Sequence, residues 1–166
     1  MIPMPDAALR APSPELRHDA ALLGIARELS DGACAALPRQ WLRGRKFGLL
    51  CADAQAAEAH AFEAAASELG AHVARIRVRL GDASPDEIVR DTALLLSRLY
   101  DAVECIDMSP TLLHRLRGSA SIPVLVGGST DAPHVDALAA ALMAEGHAAA
   151  DAGRFALQAL LIAALA

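Results

Sequence analysis

The chain has 166 residues, 54% of them hydrophobic and 21% charged, with a formal net charge of -5. That composition is globular rather than disordered, and one domain of this length can bury a real core. An acidic balance with no basic stripe excludes a nucleic-acid binder, which would need cations to neutralise phosphates.

No apolar run reaches the roughly 18 residues of a membrane span. Met1-Ile2-Pro3-Met4-Pro5-Asp6 lacks the basic and apolar parts of a secretory signal. Cys34, Cys51 and Cys105 are odd in number and far apart, so no disulfide framework is expected. A soluble, cytoplasmic protein is the expectation, rich in alanine and poor in aromatics, with no membrane and no nucleic acid as partner.

Residues 1–12 hold three prolines and read as a loose N-terminal arm, leaving 13–166 as a single domain. Ser13-Pro14 reads as an N-cap followed by proline at the first helical position. Leu16, Leu22, Ile25, Ala26 and Leu29 then recur at helical spacing, giving a helix to about residue 30. Gly32 and Pro38 break the connection 31–44, and Trp41 and Leu42 are expected to pack on the element that follows.

Lys46 to Cys51 contains Phe47-Gly48-Leu49-Leu50, fit for a buried strand. The alanine-rich stretch from about 55 to 69 is a helix by propensity, stopped by Gly70. His72 to Leu80 alternates Val73, Ile76 and Val78 with Arg75, Arg77 and Arg79, as in a strand near a sheet edge. Ser84-Pro85-Asp86-Glu87 reads as a capping box, with Ile88, Thr92, Leu95 and Leu99 lining the inner face of its helix. Ala102 to Ile106 is a third strand, Ser109-Pro110 opens a short helix, and Ile122 to Val126 is a fourth strand. Helices follow at about 132–144 and 151–165. The last is apolar nearly all round, with Gln158 expected to face water.

Strands alternating with helices predict a doubly wound α/β domain, a four-stranded parallel sheet with helices on both faces. In such sheets ligands sit beyond the carboxyl ends of strands where the strand order reverses. The loop after Cys51 and the start of the next helix are that place. A phosphate there is best held by free N–H groups, a helix dipole and arginines. No Cys/His spacing resembles a zinc site, and no metal or cofactor is expected. Cys51 and Cys105 fall near the carboxyl ends of neighbouring strands, with His134 nearby, and are candidates for a reactive thiol site.

The run Asp91-Thr92 to Ser97-Arg98-Leu99-Tyr100-Asp101-Ala102-Val103-Glu104 resembles a segment of the first domain of aspartate and ornithine carbamoyltransferases. Leu42-Arg43-Gly44-Arg45-Lys46, Phe62-Glu63 to Leu69-Gly70-Ala71-His72-Val73, and Ile122 to Gly128 with Thr130-Asp131 resemble further segments, in matching order. Asp151-Ala152-Gly153-Arg154 to Leu161 resembles the family's last helix. The resemblance thus implies the carbamoyl-phosphate-binding domain, its second domain deleted and residues 151–166 packing back on the first.

The resemblance also implies what is missing. The family's phosphate-gripping Ser-Thr-Arg-Thr-Arg signature falls on Gln55, Ala56, Ala57, Glu58 and Ala59, so both arginines become alanines and Glu58 replaces a threonine. Asp53 adds another acid, and a further family arginine falls on Ile106. The His-Pro-x-Gln motif shrinks to His134-Val135-Asp136. His134, Thr130 and Gly128 are what remains as ligand-binding candidates.

The expected function is a carbamoyltransferase-like pseudoenzyme acting through oligomerisation, a trimer by resemblance, or through a partner enzyme. The alternatives are a phosphate- or carbamoyl-binding module, or remnant carbamoyltransferase activity.

Overall fold

Four short segments form one parallel sheet in the computed structural model: β1 Lys46–Cys51, β2 His72–Ile76, β3 Ala102–Ile106 and β4 Val124–Val126. Their spatial order is β2-β1-β3-β4. The structure describes residues 14–34, 40–51, 56–126 and 132–166. Within them lie six helices: α1 Pro14–Cys34, α2 Ala57–Glu68, α3 Asp86–Leu99, α4 Pro110–Ser119, α5 Ala132–Ala144 and α6 Ala149–Ala164. This is the four-stranded parallel α/β sheet that the sequence predicts.

β1 and β3 pair at the centre with Leu50 opposite Cys105 and Cys51 opposite Ile106. Both are covered on two sides, which is why, Glu104 of β3 apart, their buried residues run apolar without alternation. The pleat sorts them. Phe47, Leu49, Ala102, Ile106 and Leu125 share one core with Ala59, Phe62, Leu142, Phe155 and Leu161 from α2, α5 and α6. Leu50, Val103, Cys105, Val124 and Val126 share another with Leu96 and Leu113 from α3 and α4. Gly48 points to the second side, where a Cβ would come within 2.8 Å of the Ile76 Cδ1 and 3.1 Å of the Val103 Cγ1. A larger residue there would force these neighbouring side chains to give way.

Several expectations are corrected. α1 runs on to Cys34, through Gly32, which is buried rather than a breaker. Leu42 packs into the core as expected, whereas Trp41 is only partly covered, 37% exposed. β2 ends at Ile76 and β4 begins at Val124, so both outer strands are shorter than their apolar stretches. Ser84 does not cap α3; its Oγ accepts from the Gly81 N–H at 2.9 Å, and Pro85 occupies the N-cap without a side-chain bond. The Ser13 cap lies outside the described residues.

Two corrections reverse a face. The buried side of α3 is Val89, Ala93 and Leu96, set against Leu112 and Leu116 of α4 and the sheet. Ile88, Leu95 and Leu99, expected inside, are exposed by 50%, 57% and 53%. α3 carries two apolar stripes at helical spacing, and periodicity alone does not say which one meets the core. In α6, Gln158 is 3% exposed, not turned to water. Its Nε2 donates to the Ala65 carbonyl at 3.2 Å and to Glu68 Oε2 at 2.9 Å, which satisfies the buried amide.

α6 is tied down further by Arg154, which donates to Glu68 at 2.7 Å and Asp151 at 2.8 Å and lies 4.6 Å over the Phe155 ring. It packs against α1, α2 and α5. No helix among the described residues is long and apolar enough to cross a membrane.

Candidate functional site: the crevice at the carboxyl ends of β1 and β3

The strand order reverses between β1 and β3, so a crevice opens beyond their carboxyl ends. On the α3/α4 side it forms a cavity of about 220 Å³ lined by Leu50, Cys51, Val78, Asp82, Asp107 and Ser109, among others. Immediately after β3 the chain enters the left-handed region at Asp107, φ 56°, the one non-glycine there among the described residues. Aspartate tolerates that conformation better than most side chains. The turn delivers Ser109 as the N-cap of α4, its Oγ accepting from the Leu112 N–H at 3.2 Å. The same hydroxyl donates to an Asp82 carboxylate oxygen, which holds the 81–84 turn against the start of α4.

No cation lines this cavity among the described residues. The guanidinium of Arg115, on α4, is committed to the turn before α3. It reaches the Asp82 carbonyl at 3.2 Å, the Ser84 carbonyl at 2.5 Å and the Asp86 carboxylate at 2.8 Å. With all three nitrogens of its fork engaged this way, the guanidinium is held away from a ligand in the crevice. Asp82 and Asp107 therefore give the crevice an acidic rim.

Among the described residues, the start of α2 likewise offers no cation. Ala56 is its N-cap, with no side-chain cap bond, and Glu58 is the acid of its first turn. Ala57 and Glu58 are exposed, whereas Ala59 is fully buried in the core and faces away from the crevice. Gln55 and Asp53 lie outside the described residues, as do Gly128 and Thr130. His134 falls in the first turn of α5, and its side chain is likewise outside the description. Ile106 is core.

The two thiols do not meet. Cys51 pairs in register with Ile106 and packs with the α2/α6 core, while Cys105 pairs with Leu50 and packs with the α3/α4 core. They lie on opposite faces of the sheet. Burial, helped by Glu104 and opposed by Arg117, pushes the Cys105 thiol up to about 12, far from a thiolate at neutral pH. No cluster of three metal-ligating side chains occurs among the described residues.

Sequence reasoning did not single out Asp82 or Asp107, whose roles depend on two turns converging from distant parts of the chain. It also passed over Glu104, a buried carboxylate in the middle of β3. Glu104 borders a second, largely apolar cavity of about 220 Å³ with Glu58, Phe62, Leu125, Leu157 and Leu161. A lone acid in a strand buried on both sides was the available signal.

The architecture defines an open parallel α/β domain with a crevice at the switch point between β1 and β3. Sequence comparison gives its kin. The chain is 33% identical over 113 residues to the ornithine carbamoyltransferase of Actinobacillus pleuropneumoniae serotype 5b, covering 68% of this chain and 34% of that protein. It is 32% identical over 129 residues to the catabolic ornithine carbamoyltransferase of Burkholderia mallei, covering 78% and 37%.

Among solved structures, the Pyrococcus furiosus ornithine carbamoyltransferase superposes with a TM-score of 0.67 at 19% identity, over 78% of this chain and 42% of that one. A putative aspartate carbamoyltransferase from Trypanosoma cruzi gives 0.60 at 21%, over 74% and 42%. These two likenesses are of fold. No family model matches the chain.

Over about 70% of its length the chain is homologous to the ornithine and aspartate carbamoyltransferases, and its sheet fits an N-terminal-domain-like portion of them. It spans about a third of the length of the curated relatives it matches.

Proposed function

We propose that this chain is a carbamoyltransferase-like pseudoenzyme that acts through contacts with protein, its own copies included, rather than through carbamoyl transfer. The observation that carries this reading is the lining of the crevice, Asp82 and Asp107 without a described cation; the resemblance adds Ala57, Glu58 and Ala59 at the start of α2, where it expects two arginines. Like charges about 4 Å apart repel by about 4 kcal/mol near a protein surface, so an acidic rim disfavours a phosphate dianion. Each missing charge-stabilising donor typically removes about 3–4 kcal/mol of transition-state stabilisation.

The short join between the last two helices supports the same reading. α5 ends at Ala144 and α6 begins at Ala149, with Gly146 in a left-handed turn. The resemblance places the amino-acid-binding domain between two such helices, and four residues leave no room for one. A cytoplasmic setting and a homo-oligomer, a trimer by resemblance, belong to the proposal.

The test is calorimetry and thermal shift with carbamoyl phosphate, beside assays for carbamoylation of ornithine and aspartate. The expected result is no saturable binding at millimolar ligand and no product. A saturable melting shift without turnover would favour a small-molecule sensor instead, and measurable product would overturn the pseudoenzyme reading outright.

A further inference from the structure

The exposed stripe of α3 has the form of a helix seam without a partner. Ile88, Thr92, Leu95 and Leu99 are spaced 4-3-4, the spacing of a coiled-coil interface. Three of the four are large, apolar and half or more exposed. The other side of the helix, Val89, Ala93 and Leu96, is already spent on the core. The seam therefore has one blocked flank and one open flank.

The open flank carries the charges. Asp91 and Arg98 are both exposed and stand one heptad apart on it. Neither forms an ion pair among the described residues. In a parallel pair of helices, an open flank would meet the blocked flank of its neighbour. In an antiparallel pair, like flanks meet. With Ile88 opposite the Leu99 of a second copy, Asp91 and Arg98 fall within two residues of each other's level, about 3 Å along the axis. Each acid then faces a base, twice, by symmetry.

We infer that α3 pairs with the α3 of a second copy of this chain, antiparallel and two-fold, with Ile88, Leu95 and Leu99 as the seam and Asp91–Arg98 as the flanking pairs. This rests on the reading that the chain works through self-association, and it narrows it. A two-fold contact closes on itself, so it yields an even number of copies; a trimer built through another face would be joined into a hexamer. A seam of about 17 Å from Ile88 to Leu99 is small for a stable interface, so dissociation in the micromolar range is expected.

Sedimentation equilibrium from about 1 to 200 μM, a range bracketing that affinity, tests the inference. Leu95→Glu should abolish the even-numbered assembly and leave the circular dichroism and melting of the chain unchanged, since Leu95 is not in the core. Asp91→Arg and Arg98→Asp should each weaken assembly at least tenfold alone. Mixed one to one, they should restore it as a heterodimer, because each then meets its complement.

A trimer indifferent to Leu95→Glu would overturn the α3 pairing while leaving self-association standing. A strict monomer at 200 μM would overturn both. Assembly broken by Leu95→Glu but not rescued by mixing the charge variants would overturn the antiparallel register.

Discussion

The two faces of the sheet are built differently. One is covered by α1, α2, α5 and α6, whose apolar residues merge with Phe47, Leu49, Ala102 and Ile106 into a large cluster, with a small one of Leu22, Leu138 and Ala156 beside it. The other has only α3 and α4 to cover it, and its packing divides into two smaller clusters. On the first face even a polar residue, Gln158, is drawn in and satisfied. On the second, four large apolar side chains of α3, Ile88, Leu94, Leu95 and Leu99, stay outside. Stability is concentrated on the first face, and unsatisfied surface on the second.

The sharpest way to break that contrast is truncation on each side. Phe155→Ala removes a ring held edge-on to His147 and beneath Arg154, and should cost about 3–5 kcal/mol in urea unfolding. Leu95→Ala should change the stability of the monomer by no more than about 0.5 kcal/mol. Equal costs would mean that the exposed stripe is packed in solution.

Cys105 probes how dry the thinner face is beneath its two helices. Its thiol, raised by burial to about 12, stays protonated in the folded chain when an unfolded thiol would ionise near 9. The folded state thus keeps its full advantage below pH 9 and loses it as pH climbs from 9 towards 12, by up to about 4 kcal/mol. At pH 8 the native thiol should react with iodoacetamide about a thousandfold more slowly than a free cysteine. Rapid labelling of Cys105 in the native chain would show that the face opens readily.

A smaller effect is expected at Gln158. Gln158→Ala removes the two bonds to Ala65 and Glu68, while Arg154 still neutralises Glu68. A loss of about 1–2 kcal/mol is expected from the buried amide alone. A double cycle with Arg154→Ala separates the amide from the ion pair, since residues sharing Glu68 should not be additive.

The sheet was legible in the sequence because its central strands are bounded apolar runs, and burial on both sides leaves such runs no other use. Helix positions were legible for the same local reasons, through Gly70 and Ser109-Pro110. What escaped was tertiary. Neither the orientation of α3 nor the fate of Gln158 follows from periodicity, because each depends on what another helix presents. Ile88 and Val89 are equally apolar neighbours, yet one is exposed and the other is core. At the site, the alanines at 57 and 59 could be read as losses, but only the fold shows that Ala59 turns into the core. Asp82 and Asp107 came together through two turns separated by 25 residues, with no local pattern to announce them.

The starts of α2, α6 and α4 carry the contrast between the faces to its smallest scale, although α3, on the thinner face, also begins uncapped at Pro85. On the crowded face, α2 and α6 begin at Ala56 and Ala148 with no side-chain cap, held in place by packing. On the thinner face, α4 begins at Ser109, whose hydroxyl caps Leu112 and also grips Asp82. Ser109→Ala should therefore cost about 1 kcal/mol, and Ala148→Ser, at a backbone already extended as a cap requires, should gain up to about the same. Thermal melts of both variants measure the pair. If Ser109→Ala were neutral while Ala148→Ser stabilised the chain, the cap would matter only where packing is already dense, and the account of the thinner face as dependent on local polar bonds would have to be given up.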